Sequence, residues 1–122
     1  MGRKMMFEGK ITFDLNDLAR QCRDVASSKG WEVSVRSFGD ELALMHSELS
    51  EALEEFRNGR SYTEIYVNNG SDKPEGIPIE LADCIIRILH FCDRFDIDIH
   101  QAVTQKMEYN KTRSHRHGGK LL

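Results

Sequence analysis

Glu80, Asp83, Arg87 and His90 follow one another at offsets of three, four and three within residues 79–95, IELADCIIRILHFCDRF, a stretch that is otherwise mostly apolar. At about 100° per residue those offsets fall on one narrow helical stripe. A helix apolar on its remaining sides is expected to be buried all round, so this stripe carries charge into an interior. An isolated buried carboxylate takes up a proton unless a cation or several donors keep it charged. Glu80 and Asp83 therefore require partners. Glu48, Glu51 and Glu55 repeat the spacing within residues 40–57, beside an apolar arc of Met45, Leu49, Ala52, Leu53 and Phe56. If the two arcs pack, the carboxylates of both stretches meet. Two such charges about 4 Å apart repel by roughly 4 kcal/mol at an effective dielectric near 20. The cleft then calls for a divalent metal or for proton uptake, and oxygen-only donors suit Mg²⁺, Mn²⁺ or Ca²⁺.

Four helices are predicted to position these groups. The first starts near Asp14, carries Leu15, Leu18, Ala19, Cys22, Val25 and Ala26 on one face, and stops near Gly30. Trp31 follows as an expected core or interface anchor. Ser37 and Asp40 form a capping-box pattern that opens the second helix, and Asn58-Gly59 closes it. Residues 59–78 lack a helical period and carry Gly70, Pro74, Gly76 and Pro78, which predicts a long connection with a short strand at 62–67 as an option. Within it Lys73 reads first as solvated and second as a lysine delivered to a ligand by loop closure. Pro78 fixes the start of the third helix. Asp96 or Asp98 caps a fourth, whose inward face would be Ile99, Ala102, Val103, Lys106, Met107 and Asn110. Lys106 and Asn110 lie one turn apart, so both can enter one cleft and meet a phosphate, a metal water or a base edge.

The rest of the chain sets bounds. Its 122 residues fit a single domain, with residues 1–11 as a lead and 112–122 as a basic tail holding Arg113, Arg116, Lys120, His115 and His117. Such a tail can grip phosphates or remain merely solvated. A net charge of −3 offers no general attraction to nucleic acid or an anionic membrane, and the apolar runs are too short to span a bilayer. A cytoplasmic location is expected. Cys22, Cys84 and Cys92 are odd in number and form no CxxC pair, so they read as free core thiols rather than disulfides or zinc ligands.

The segments HSELSEALEEFR and IELADCIIRIL, followed by KMEYNKTRSHRHGGK, together resemble the MazG-like all-α nucleoside triphosphate pyrophosphohydrolases, over roughly residues 12–120. The resemblance implies an all-α four-helix bundle assembled as a dimer or tetramer. It implies Mg²⁺, with Mn²⁺ as a substitute, held by Glu48, Glu51, Glu80 and Asp83. The implied reaction converts a ribo- or deoxynucleoside triphosphate to the monophosphate and pyrophosphate, with Lys106 and Asn110 facing the substrate and Arg113, Arg116 and Lys120 steadying phosphates. One departure stands out: the family motif often begins with paired glutamates, and the leading position here is Ser47. Glu55, one turn beyond Glu51, could stand in as an outer base. Arg87, one turn after Asp83, is expected to pair with it, with phosphate contact as its second reading. His46 and His90 read as core or supporting residues.

Three rivals accompany this reading. A di-iron carboxylate bundle would add Glu-x-x-His ligands, and no histidine here lies three residues after a glutamate. A non-catalytic helical module could bind nucleotides or a protein partner through the same cleft. Most plainly, Glu48, Glu51 and Glu55 could form a solvated stripe, and Glu80, Asp83 and Arg87 a buried salt-bridge cluster.

Overall fold

Helix starts are set by local chemistry. In the computed structural model, which describes residues 13–30 and 36–113, α1 spans Leu15–Ser28, α2 Phe38–Arg57, α3 Ile77–Arg94 and α4 Ile99–Lys111. The Asp14 carboxylate accepts from the Asn16 N–H, and Ser37 and Asp40 cap each other reciprocally at the start of α2. Asp98 caps α4 by accepting from the Gln101 N–H, while Asp96 forms the preceding turn with φ 57°. α1 and α2 end at Gly30 and Gly59, whose φ values of 77° and 90° suit glycine.

α3 is the central element: α2 packs on one side of it and α1 on another, and the main contact of α4 is with α1. The α1–α3 seam is built from small and apolar residues, with Ala19, Ala26, Leu89 and Cys92 buried. The α2–α3 seam differs. Ala52 and Cys84 are buried there, and the Cys84 thiol donates to the Met45 carbonyl at 3.5 Å. Beside them Glu41, Glu48 and Glu80 are buried too. Cys22 is half-buried, and all three cysteines are free.

The expectation that α3 is covered on every side does not hold within one chain. Leu81, Ile85, Ile86 and Ile88 are exposed, Ile85 by 54%. The apolar arc of α2 is likewise open at Leu49, Leu53 and Phe56. Two neighbouring helices cannot cover the whole circumference of α3, and the faces that meet are those bearing the carboxylates. Periodicity located the stripes and placed the carboxylates inside; the apolar arcs beside them, expected to be covered as well, stay open within one chain. His46 is exposed rather than in the core, whereas His90 is half-buried.

The connection between α2 and α3 is pinned rather than free. Tyr66 and Glu75 form an isolated antiparallel bridge, with hydrogen bonds of 3.1 and 2.8 Å, in place of a strand. Gly76 has φ 126°, and a Cβ there would run into the Glu64 carbonyl oxygen, so glycine is required where the hairpin turns into α3. α4 is tied at its start: the Leu15 N–H donates to His100 Nδ1 at 3.1 Å and Asn16 Nδ2 to Asp98 at 2.8 Å. No helix among the described residues is long and apolar enough to cross a membrane.

Candidate functional site

The three-and-four spacing on α2 and α3 brings carboxylates of the two helices together. One ligand oxygen each of Glu48, Glu80 and Asp83 lies within 4.8 Å of the others. Glu48 and Glu80 are only 8% and 7% exposed, and Asp83 is half-buried at the rim. These three of the predicted acids form the centre of the site. No hydrogen bond or ion pair from a basic side chain reaches Glu80 among the described residues. Burial, then the charges of Glu51, Asp83 and Glu48, push its carboxyl up to about 7. Asp83 is raised as well, chiefly by burial and next by Glu48, while Arg87 and Lys73 pull it back.

The remaining predicted acids take different places. Glu51 is exposed and stands outside the group of three, yet its charge acts on Glu80 more strongly than that of any other residue. Its carboxyl is also within side-chain hydrogen-bonding reach of Glu80. Glu55, read from the sequence as an outer base standing in for the leading acid, accepts from the Tyr66 hydroxyl through both carboxylate oxygens, at 2.9 and 3.1 Å. Tyr66 also carries the Arg60 guanidinium over its ring at 3.6 Å, and Arg60 pairs with Glu64 at 2.8 Å. This clasp fastens the hairpin to α2.

The hairpin contributes an acid that the sequence did not single out. Glu75 joins Glu55 and Glu80 in a second group of three within 4.8 Å, so Glu80 lies between two sets of carboxylates. No helical period marks Glu75; its place depends on the pairing with Tyr66, for which Gly70, Pro74 and Gly76 are the punctuation in the sequence.

Two cations border the acids. Arg87 Nε donates to Glu48 Oε2 at 2.7 Å across the helix interface, so its direct partner is not Asp83, the residue one turn before it. Asp83 feels Arg87 through its charge alone. Lys73, exposed on the hairpin, lies 4.0 Å from Glu75.

The other predicted substrate groups do not join this site within the chain. Lys106 and Asn110 are exposed on α4, which packs mainly on α1, and the Lys106 ammonium stands over the Tyr109 ring at 5.0 Å. With Ala102, Gln105 and Tyr109, Lys106 lines an open groove of α4 itself. The expected inward face of α4 is therefore covered only in part, at Ile99 and Val103. Arg113 is exposed past its end, 6.0 Å from the Tyr109 ring. Arg116, Lys120, His115, His117 and Trp31 lie outside the described residues.

The donor set fits a hard divalent cation: it is all carboxylate, convergent, and includes a buried member with no basic partner. The same set without an ion favours shared protons, as the raised Glu80 and Asp83 indicate. Comparison of the chain with protein-family models, with curated proteins and with solved structures finds no match in any of the three.

Proposed function

We propose that the chain is a MazG-like, Mg²⁺-dependent nucleoside triphosphate pyrophosphohydrolase, which cleaves the linkage between the α- and β-phosphorus and releases a monophosphate and pyrophosphate. The observation that carries this reading is the convergence of Glu48, Glu80 and Asp83 from two helices, with Glu80 buried and lacking a basic partner. A structural cluster would be expected to balance its acids with bases. Here the balance is left to a proton or an added cation.

Glu48, Glu80 and Asp83 would hold the ion, with Glu51 at the border. When bound, Mg²⁺ would polarise the phosphoryl oxygens and make a water easier to deprotonate. Glu51, exposed beside Glu80, would accept that proton as the water oxygen bonds to phosphorus and pyrophosphate leaves. Arg87 and Lys73 are the cations next to the site and would meet the phosphates in place of the Lys106 ammonium and Asn110 amide of the same chain.

Assembly as a homodimer or homotetramer belongs to the same proposal. The open apolar residues of α2 and α3, Leu49, Leu53, Phe56, Leu81, Ile85 and Ile88, would be covered by a second copy. A monomeric mass by light scattering at micromolar concentration would count against it.

The decisive experiment incubates the purified protein with Mg²⁺ and a panel of ribo- and deoxynucleoside triphosphates, modified bases included, and measures pyrophosphate. Release that is lost in Glu80→Gln and Glu48→Gln supports the hydrolase. No release from any substrate, or full activity in both variants, abandons it. Nucleotide binding without turnover identifies the non-catalytic module instead.

A further inference from the structure

Arg87 is the basic side chain in direct contact with the group of Glu48, Glu80 and Asp83 among the described residues. The contact is one-pronged. Nε donates to Glu48 Oε2 at 2.7 Å, and the two terminal nitrogens make no hydrogen bond with a described residue. Arginine offers five donors in a planar fork that frequently engages carboxylates or phosphates two at a time, so Arg87 keeps donors in reserve. The side chain is also placed at the mouth of the site, 37% exposed against 11% for Glu48.

A divalent ion held by Glu48, Glu80 and Asp83 would compete for the Glu48 oxygen that Arg87 engages, because a divalent ion and a guanidinium at contact distance repel about twice as strongly as two carboxylates do. We infer that Arg87 is an exchangeable counter-cation: it neutralises Glu48 in the absence of a divalent ion, and turns its guanidinium to the phosphate oxygens of a di- or triphosphate ligand once Glu48 binds one. This rests on the metal-dependent reading above and adds to it an order of events: cation first, then phosphate, with one side chain coupling them. The unengaged terminal nitrogens are the donors for the phosphate, whose oxygens suit a guanidinium fork.

The test uses the whole chain and two titrations by calorimetry, Mg²⁺ alone and then inorganic pyrophosphate at saturating Mg²⁺. Removing the competing cation in Arg87→Gln should tighten Mg²⁺ binding by about threefold to tenfold, and removing the phosphate donor should weaken pyrophosphate binding by more than about tenfold. Arg57→Gln, which removes an equal charge from an exposed pair with Glu54 at the end of α2, should change neither. If Arg87→Gln does not fold, Arg87→Lys keeps the charge and loses the fork, and should weaken pyrophosphate binding with Mg²⁺ affinity nearly unchanged. Mg²⁺ affinity that is unchanged or weaker in Arg87→Gln overturns the exchange, as does undiminished pyrophosphate binding in Arg87→Gln or, where only it folds, in Arg87→Lys. A wild-type chain that binds no Mg²⁺ overturns the proposed function itself, so the two failures are distinguishable.

Discussion

At one end of the α2–α3 seam Glu41 is shared by two arginines, Arg36 at 3.2 Å and Arg94 at 3.6 Å, beside the packed rings of Phe38, Phe91 and Phe95. Toward the other end Arg87 is the one arginine among the described residues that pairs with the group of Glu48, Glu80 and Asp83, with Lys73 at longer range. Both regions bury a glutamate on the same pair of helices. The first has more positive than negative charge at hand and is complete as it stands. The second is short of positive charge, and a fold needing only a strut would gain by replacing those acids with apolar side chains. The contrast is between a charge cluster balanced by its own arginines and one whose converging carboxylates could hold a metal ion.

The largest test of that contrast is catalytic. Glu48→Gln and Glu80→Gln keep the side-chain size and remove the charge, so pyrophosphate release is expected to fall by about a hundredfold or more with the helical circular dichroism unchanged. Wild-type turnover in either variant would reduce the second cluster to the status of the first.

The next effect is on stability and depends on pH. A carboxyl raised from 4.5 to about 7 corresponds to on the order of 3 kcal/mol between its charged and neutral forms. Between those pH values the folded chain holds a proton on Glu80 that the unfolded chain has released. The stability conferred is thus fully present below about 4.5 and lost as pH rises through about 7. Asp83, raised in the same direction, adds to the slope. Metal-free protein should melt at falling temperature across this range, and Glu80→Gln should flatten the profile. Saturating Mg²⁺ should restore most stability above pH 7, where no proton competes for the site. A metal-free melting temperature that climbs over the interval would break the assignment.

Glu41→Gln gives the matched measurement at the other end. Breaking a buried pair commonly costs 3–5 kcal/mol, but Arg36 and Arg94 are 32% and 20% exposed, and the loss should shrink to about 1–3 kcal/mol through solvent screening. Pyrophosphate release per folded molecule should stay within about twofold of wild type, since Glu41 belongs to the balanced cluster. Loss of activity without loss of stability would reverse the two roles.

Much of this arrangement is legible in the residues themselves. Helix periodicity fixes the angles at which Glu48, Glu51, Glu80 and Asp83 leave their axes, and the caps at Asp14, Ser37 and Asp98 are local chemistry that operates wherever the helix lies. What the sequence could not supply are choices made in three dimensions. Arg87 has an acid one turn before it and another across the interface, and spacing alone does not measure the gap between helices. Apolar stripes on α3 report that Leu81, Ile85 and Ile88 are suited to burial without naming a neighbour to cover them. α4 offers Lys106 and Asn110 on a common face, and nothing in that spacing states that α1 is the helix it meets. Glu75 sits in a segment with no period at all.

The smallest prediction concerns that segment. If the hairpin is a scaffold that carries Glu75 and Lys73 to the edge of the site, its clasp should matter for position and little for chemistry. Tyr66→Phe keeps the ring under Arg60 and removes only the hydroxyl that donates to Glu55. The Glu55 carboxylate then returns to water at little cost, because the freed oxygens lie near the surface. Turnover should remain within about twofold of wild type, with the melting temperature slightly lowered. A drop comparable to that of Glu80→Gln would move the Tyr66–Glu55 pair from the frame of the site into its working parts. The boundary between frame and working site would then fall between the Glu41 end of the seam and everything from Glu48 through the hairpin, with Glu55, Glu75 and Glu80 as a second group that could hold a cation.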